Sequence, residues 1–352
     1  PAPAQSEKIA IINATVHVGD GQVIENGQVL FSNGKIESVG KTARTTSSDY
    51  RIVDAEGKHI YPGIIALNTG LGLTEIGAVR ATRDGREVGN LNPNVRAMIA
   101  YNTDSQIIPT VRSRGVMLAQ VVPSGGRMSG KSSIMQLDGW NFEDAVVAED
   151  EGIHINWPWR SFFAWWNGTV RQNREYDKQV TELEQTLQQA AAYCSNGRQG
   201  DTQLKLESMC DMMSGKATAY IHVDDARGIQ ASVLMAKEMN LKPVIVGGSE
   251  AYMVTEFLKR EGVPVILGST QSLPGGTDDD VDQPFKTPAQ LHEAGVEFAL
   301  SHGGYWEQRN LPFIAGTAVA YGLPYEEAIK SITLDAAKMA GIDADYGSLA
   351  AG

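Results

Sequence analysis

The chain contains no hydrophobic run that could cross a bilayer as a helix, which takes about 20 consecutive apolar residues. It is also short of positive charge: 30 lysines and arginines stand against 42 aspartates and glutamates, for a net charge of -12. That deficit argues against nucleic acid or an anionic membrane as partner, because both are met by basic patches. Cysteine is nearly absent. The two present, Cys194 and Cys210, flank a turn at Asn196-Gly197-Arg198-Gln199-Gly200 between two helical patterns. A helical hairpin there would bring the thiols together and suit an oxidising compartment. Two separate, half-buried thiols are the alternative, because spacing in sequence does not give distance in space. No short-period repeat is present, and low complexity is confined to Asp278-Asp279-Asp280.

What is present suits a globular α/β protein. A length of 352 residues with 42% hydrophobic and 20% charged residues allows one large barrel or two modest domains. The lead Pro1-Ala2-Pro3-Ala4-Gln5-Ser6 has the small residues left after a signal is trimmed, so a periplasmic or secreted location is expected, with the cytoplasm as the alternative.

Residues 8–60 read as short strands. Ile12, Ala14, Val16 and Val18 alternate with other residues, and Asn26-Gly27 and Asn33-Gly34 favour tight hairpins. After Pro62-Gly63 the pattern changes to apolar strands alternating with helices, the signature of parallel βα units. Strands are expected at 64–68, 116–122, 217–222, 243–246, 264–267 and 297–301. Helices are expected at 94–112, 177–193, 225–239, 249–261, 288–293, 312–321 and 324–340. Residues 132–170 resist assignment. The recurrence of these units predicts a (β/α)8 TIM-like barrel over 62–344, preceded by a small β-sheet unit over 1–61 that residues beyond 345 would complete.

Two local signals carry less than their letters suggest. Gly125-Gly126-Arg127-Met128-Ser129-Gly130-Lys131-Ser132 fits the phosphate-loop pattern, but that mechanism needs a helix to start at the lysine. The following Ser133-Ile134-Met135-Gln136-Leu137-Asp138-Gly139 is strand-like, so the match reads as coincidence and the glycines as a loop over the barrel mouth. The run from Asn156 to Trp166 holds four of the six tryptophans and reads as packing or a subunit interface, hence an expected homo-oligomer, ahead of a substrate wall. Arg160 within it reads as solvated.

Tyr61-Pro62-Gly63-Ile64-Ile65-Ala66-Leu67-Asn68-Thr69-Gly70 resembles the first barrel strand of the amidohydrolase superfamily, in its imidazolonepropionase-like and dipeptidase-like branch. There, Pro-Gly-aliphatic-aliphatic-Asp-x-His-x-His delivers two histidines to a metal. Here Ala66 stands at the acid, and Asn68 and Gly70 stand at the histidines. The likeness runs over nearly all the chain, through the leading β-unit, Gly115-Val116, Ile221-His222, Gly247-Gly248-Ser249-Glu250-Ala251 and the closing helices.

The resemblance implies a hydrolase of carbon–nitrogen bonds in small amides or dipeptide-like molecules. It also implies a divalent ion (zinc, manganese or iron) held by histidines and a carboxylate at the C-terminal ends of barrel strands, where it acidifies a water. His222 keeps the fifth-strand ligand position. Val246-Gly247-Gly248 offers no sixth-strand ligand, and Ser301-His302 stands where Ser-Asp ends the last strand. The carbamylated lysine of two-metal members has no counterpart beyond Gln136. On this reading most of the metal site is lost. His222 and His302 remain as catalytic or metal-binding candidates, and Asn68, Gly248 and Glu250 as substrate-binding candidates. An inactive barrel that binds a ligand or partner is the alternative. His17, His59, His154 and His292 read as structural or surface residues, and Glu75 as a lesser pocket acid.

Overall fold

The computed structural model describes residues 6–41, 49–164, 168–195, 201–275 and 278–352. The expected lead at Pro1–Gln5, the turn at 196–200, and Trp165 and Trp166 lie outside the described residues.

The chain opens with a small sheet of β1 (Ile9–His17), β2 (Val23–Ser32), β3 (Lys35–Gly40), β4 (Arg51–Asp54) and β5 (His59–Ile60), ordered β3-β2-β1-β4 with β5 also on β1. The hairpin turn expected at Asn33-Gly34 joins β2 to β3, whereas Asn26-Gly27 lies within β2, where its register against β1 shifts, and makes no hairpin; Asn26 and Asn33 both sit at φ 52°. Asparagine tolerates that left-handed region better than most side chains. The chain end returns to this sheet: Leu349 N–H donates to the Val18 carbonyl at 2.8 Å and Gly352 N–H to Ile36 at 3.0 Å.

Eight further strands form one nearly closed, barrel-like sheet. In pairing order they are β6 (Ile64–Thr69), β7 (Val116–Val121), β8 (Met128–Gln136), β9 (Val146–Asn156), β12 (Thr218–Val223), β13 (Pro243–Gly247), β14 (Val265–Leu267) and β15 (Phe298–Leu300). A hairpin of β10 (Ser161–Ala164) and β11 (Thr169–Gln172) stands apart from it. Strict βα alternation fails at one place. β8 runs antiparallel to both β7 and β9, with only a short helix at Phe142–Ala145 between β8 and β9. A returning strand can follow a tight connection, whereas a parallel one needs a helical crossover. This is the stretch that resisted assignment.

Period 2 sorts the strand residues between two cores. Ile65, Leu67, Leu118, Ile134, Tyr220, Val244, Val246, Ile266 and Ala299 pack together inside the barrel with Ala336 and Met339 of the Leu334–Met339 helix. Their neighbours Ala66, Ala119, Ile153, Ile155, Ile221, Val223 and Ile245 face the outer helices. β13 is apolar on both sides because both of its faces are covered.

The helices at Tyr176–Ser195, Ala226–Glu238 and Leu311–Ala320 follow the expected pattern, while the one expected over 288–293 starts earlier, as Gln283–Ala294 with Pro288 inside it. The single helix expected over 94–112 is replaced by two short turns, at Ala97–Ala100 and Ile108–Arg112. Between them, Asn102 and Ser105 side chains accept backbone N–H groups from Asp104 and Ile107, which offers the backbone an alternative to a helical ladder. The stretch 324–340 splits at Ile332 and Thr333 into helices Tyr325–Ser331 and Leu334–Met339.

Cys194 and Cys210 form a disulfide with their Cα atoms 5.4 Å apart, which settles the alternative left open by the sequence. Lys131 lies within β8 and pairs with Asp150 at 3.4 Å, so no helix starts there to cradle a phosphate.

Candidate functional site

A cavity of about 650 Å³ opens where β12 and β13 end, lined by Asn68, Arg127, Asn156, Trp157, His222, Asp224, Gly247 and others. The C-terminal ends of barrel strands are where such folds place their chemistry, because the connecting loops there can vary without disturbing the core.

Two of the expected residues meet in this cavity. Asn68 sits at φ 52°, where the β6–β7 register shifts between Ala66 and Thr69. Its N–H leaves the ladder and donates to Gln120 Oε1 at 3.0 Å. His222 faces inward from β12, and its carbonyl accepts from Trp157 N–H at 3.0 Å.

The other three expected residues do not line the cavity. Gly248 adopts φ 62°, and a Cβ there would lie 2.8 Å from Val265 Cγ1, so its smallness serves strand packing. Glu250 accepts from Ala226 N–H at 2.8 Å and so caps the Ala226–Glu238 helix. His302 lies beyond β15, where its Nδ1 accepts from Gly304 N–H at 3.3 Å. The lesser candidates are spoken for as well. Glu75 accepts from Asn102 at 3.3 Å, and Gln136 donates to the Asp144 carbonyl at 2.8 Å.

Three residues join the site that the sequence reading passed over. His154, taken as structural, is fully buried on β9, with its Nδ1 2.8 Å from His222 Nε2. Its Nε2 is 2.9 Å from Ser132 Oγ, and Ser132 in turn donates to Glu151. Glu151 also meets Gln120 Nε2 at 2.9 Å and Tyr220 hydroxyl at 2.8 Å. Burial drives His222 down to about 4 and His154 well below its ordinary range, with the neighbouring His222 adding to the latter. Both imidazoles are therefore neutral at pH 7. Desolvation pushes Glu151 up despite its hydrogen bonds to Ser132, Gln120 and Tyr220.

Arg127 is the second. Its guanidinium donates to the Asn156 carbonyl at 2.6 Å and Gln179 Oε1 at 3.1 Å, both neutral acceptors, and desolvation holds it below the usual arginine range. Asp224 is the third, two residues past His222 on the same strand end. Burial raises its carboxyl, and its Oδ1 accepts from Ser249 N–H at 3.3 Å.

The aromatic run divides. Trp157 is buried, donating from Nε1 to Tyr176 hydroxyl at 3.1 Å, while Trp159 is exposed at the cavity rim. Arg160 is exposed, as read from the sequence, and stacks over Tyr176 at 4.3 Å with Asp225 3.9 Å away. His17 and His59 keep the structural role read from the sequence. They form a bonded pair at 2.8 Å, and His17 reaches Glu326 at 2.8 Å, which ties the small sheet to the Tyr325–Ser331 helix.

No protein-family model and no curated protein matches the chain. Among solved structures it is similar to an amidohydrolase from Thermotoga maritima MSB8, with 25% identity and a TM-score of 0.86 over 98% of this chain and 91% of that one. It shares a fold with a Xaa-Pro dipeptidase that has methionine bound in its active site, at 14% identity and a TM-score of 0.57 over 98% and 92% of the two chains. The same holds for A. niger ochratoxinase, at 14% identity and a TM-score of 0.57 over 99% and 88%. The barrel-like sheet, the small sheet and this likeness agree with the resemblance carried by Pro62-Gly63 and the strand order: the chain belongs to the amidohydrolase superfamily.

Proposed function

We propose that the chain hydrolyses a carbon–nitrogen bond of a small amide or dipeptide-like molecule in the cavity beside His222. The observation that carries this reading is the convergence there of one imidazole, one carboxyl and one cation, His222, Asp224 and Arg127, the last hydrogen-bonded to neutral acceptors with Glu182 as a charged neighbour.

The fold family implies a divalent ion, and the donor set does not fit one. Asn68 and Gly70 occupy the first-strand positions, His222 Nε2 is engaged by His154, and His302 lies outside the cavity. Among the described residues no three His, Cys, Asp or Glu side chains converge as ligands. A tight site takes at least three. No step is therefore routed through a metal.

In this mechanism His222 Nδ1 takes a proton from water as the oxygen adds to the amide carbon. Asn68 offers its side-chain N–H groups to the developing oxyanion. The raised Asp224 carboxyl gives its proton to the leaving nitrogen as the C–N bond breaks. A neutral imidazole near 4 has about the basicity of a carboxylate base. Arg127 holds the substrate carboxylate. Export to an oxidising compartment, supported by the Cys194–Cys210 disulfide, and assembly as a homo-oligomer belong to the same proposal.

The test is incubation of the purified protein with a panel of dipeptides and N-acyl amino acids, read by mass spectrometry. Cleavage abolished by His222→Gln supports the proposal. A ligand that raises the melting temperature and is recovered intact supports the second reading, an inactive binding protein, which the sparse donor set favours.

A further inference from the structure

The polar chain inside the barrel can be followed donor by donor, starting from a group with only one possible role. The Met339 carbonyl can only accept, and Tyr220 hydroxyl lies 2.8 Å from it. The same hydroxyl lies 2.8 Å from Glu151 Oε2. A phenol has one proton to give. With that proton on the Met339 carbonyl, the Tyr220 oxygen is an acceptor and Glu151 Oε2 must carry hydrogen. Glu151 Oε1 is then the acceptor, which is the part its neighbours require. Asn68 N–H donates to Gln120 Oε1, and this turns the Gln120 amide nitrogen toward Glu151 Oε1 at 2.9 Å. Ser132 hydroxyl donates to the same oxygen, its alternative acceptor, the Gly152 carbonyl, being 3.4 Å away. The Ser132 oxygen therefore accepts from His154 Nε2–H, His154 Nδ1 is bare, and His222 Nε2 carries the hydrogen between the two rings.

We propose that Tyr220, Glu151, Ser132 and His154 are positioning residues that lock His222 in one neutral tautomer, with Nε2 protonated and Nδ1 presented to the cavity as an acceptor. Gln120, Ser132, His154 and Tyr220 are each completely enclosed, so no solvent competes for these bonds. His222 Nδ1 has no hydrogen-bond partner among the described residues and is free to meet a ligand. With a protonated Glu151 at its inner end the chain cannot take up a further proton. It orients the imidazole and does not drain it. The inference rests on the proposed function only in taking His222 as the group that meets substrate.

Two-bond proton–nitrogen correlation spectra of the full 15N-labelled chain resolve imidazole tautomers, and six histidines make the assignment tractable through His154→Gln and His222→Gln. The expected wild-type result is an Nε2–H pattern for both His154 and His222 at neutral pH. Glu151→Gln reproduces the protonated acid, since its amide N–H can donate to Tyr220 while its carbonyl accepts from Ser132 and Gln120, so it leaves both patterns unchanged. Ser132→Ala removes the link, and both rings move toward tautomer-averaged shifts. An Nδ1–H pattern at His222 in the wild type overturns the inference without recourse to any variant, as does a Glu151→Gln spectrum resembling that of Ser132→Ala. An intact lock in a protein that cleaves nothing sinks the hydrolase reading alone; cleavage with His222 in the other tautomer sinks the lock, and with it Nδ1 as the base, and spares the hydrolase reading.

Discussion

Gly152 on β9 lies against the ring of Tyr220 on β12, so closely that a Cβ at Gly152 would overlap Cε2 and Cδ2 of the tyrosine. The missing side chain is what lets Tyr220 reach across the barrel to Glu151 and the Met339 carbonyl. Gly152→Ala is expected to lose about 1–3 kcal/mol, the usual cost of overpacking a closed core. Urea unfolding checks this. The double variant with Tyr220→Leu should lose less than the sum of the two single changes, because the clash is shared.

Arg127 gives a specificity prediction. A charge-assisted hydrogen bond is worth about 1.5–3 kcal/mol, so Arg127→Met should raise KM or Kd for a ligand bearing a free carboxylate by roughly 10- to 150-fold. The same change should leave the carboxamide analogue nearly untouched. Equal losses for both ligands would mean that Arg127 holds up the loop through Asn156 and Gln179 and does not bind the ligand.

The parallel strands, the small sheet and the place of His222 could be read from apolar runs, turn pairs and the rule that strand ends carry function. The inner network could not. Alternation along β9 puts Gly152 and His154 on one face, and would put Glu151 on the other. Asp150 at φ 50° breaks the count where the β8–β9 register shifts, and the bulge turns Glu151 inward. A sequence gives no sign of that slip. His154 looked like a lone histidine because its partners, Ser132 and His222, come from strands that meet it only after the sheet curls. The reversed β8 hid itself in the same way, since a strand's apolar pattern carries no direction. His302 and Glu250 had the right positions in the order of strands, but local bonds to Gly304 and Ala226 turned them to other duties.

The disulfide yields a prediction about stability. Closing a loop of sequence separation 16 restricts the unfolded chain by about 3 kcal/mol in the loop-entropy picture. Reductant should therefore lower the melting temperature of the wild type and leave that of Cys194→Ser/Cys210→Ser where it is. Equal shifts in both proteins would locate the reductant's effect elsewhere.

The buried imidazoles set a pH dependence whose sign can be worked out. In the unfolded chain a histidine titrates near 6.5; in the folded protein His222 holds out to about 4, and burial also holds His154 well below its ordinary range. Between those values the unfolded state binds protons that the native state refuses, so stability falls as pH drops from 6.5 toward 4. The share due to His222 is roughly 3 kcal/mol, at 1.36 kcal/mol per pKa unit. Glu151 and Asp224 pull the other way, since a carboxyl raised in the folded state is most stabilising when protonated and loses that contribution as pH rises through its folded pKa. The wild-type curve alone mixes the two. The informative comparison is with His222→Gln, which keeps a donor toward His154 and cannot ionise. Its unfolding free energy should change less with pH between 6.5 and 4, with the two curves converging as pH falls. Parallel curves across that window would show that His222 titrates as an ordinary exposed histidine, and that the interior of the barrel is wetter than its packing implies.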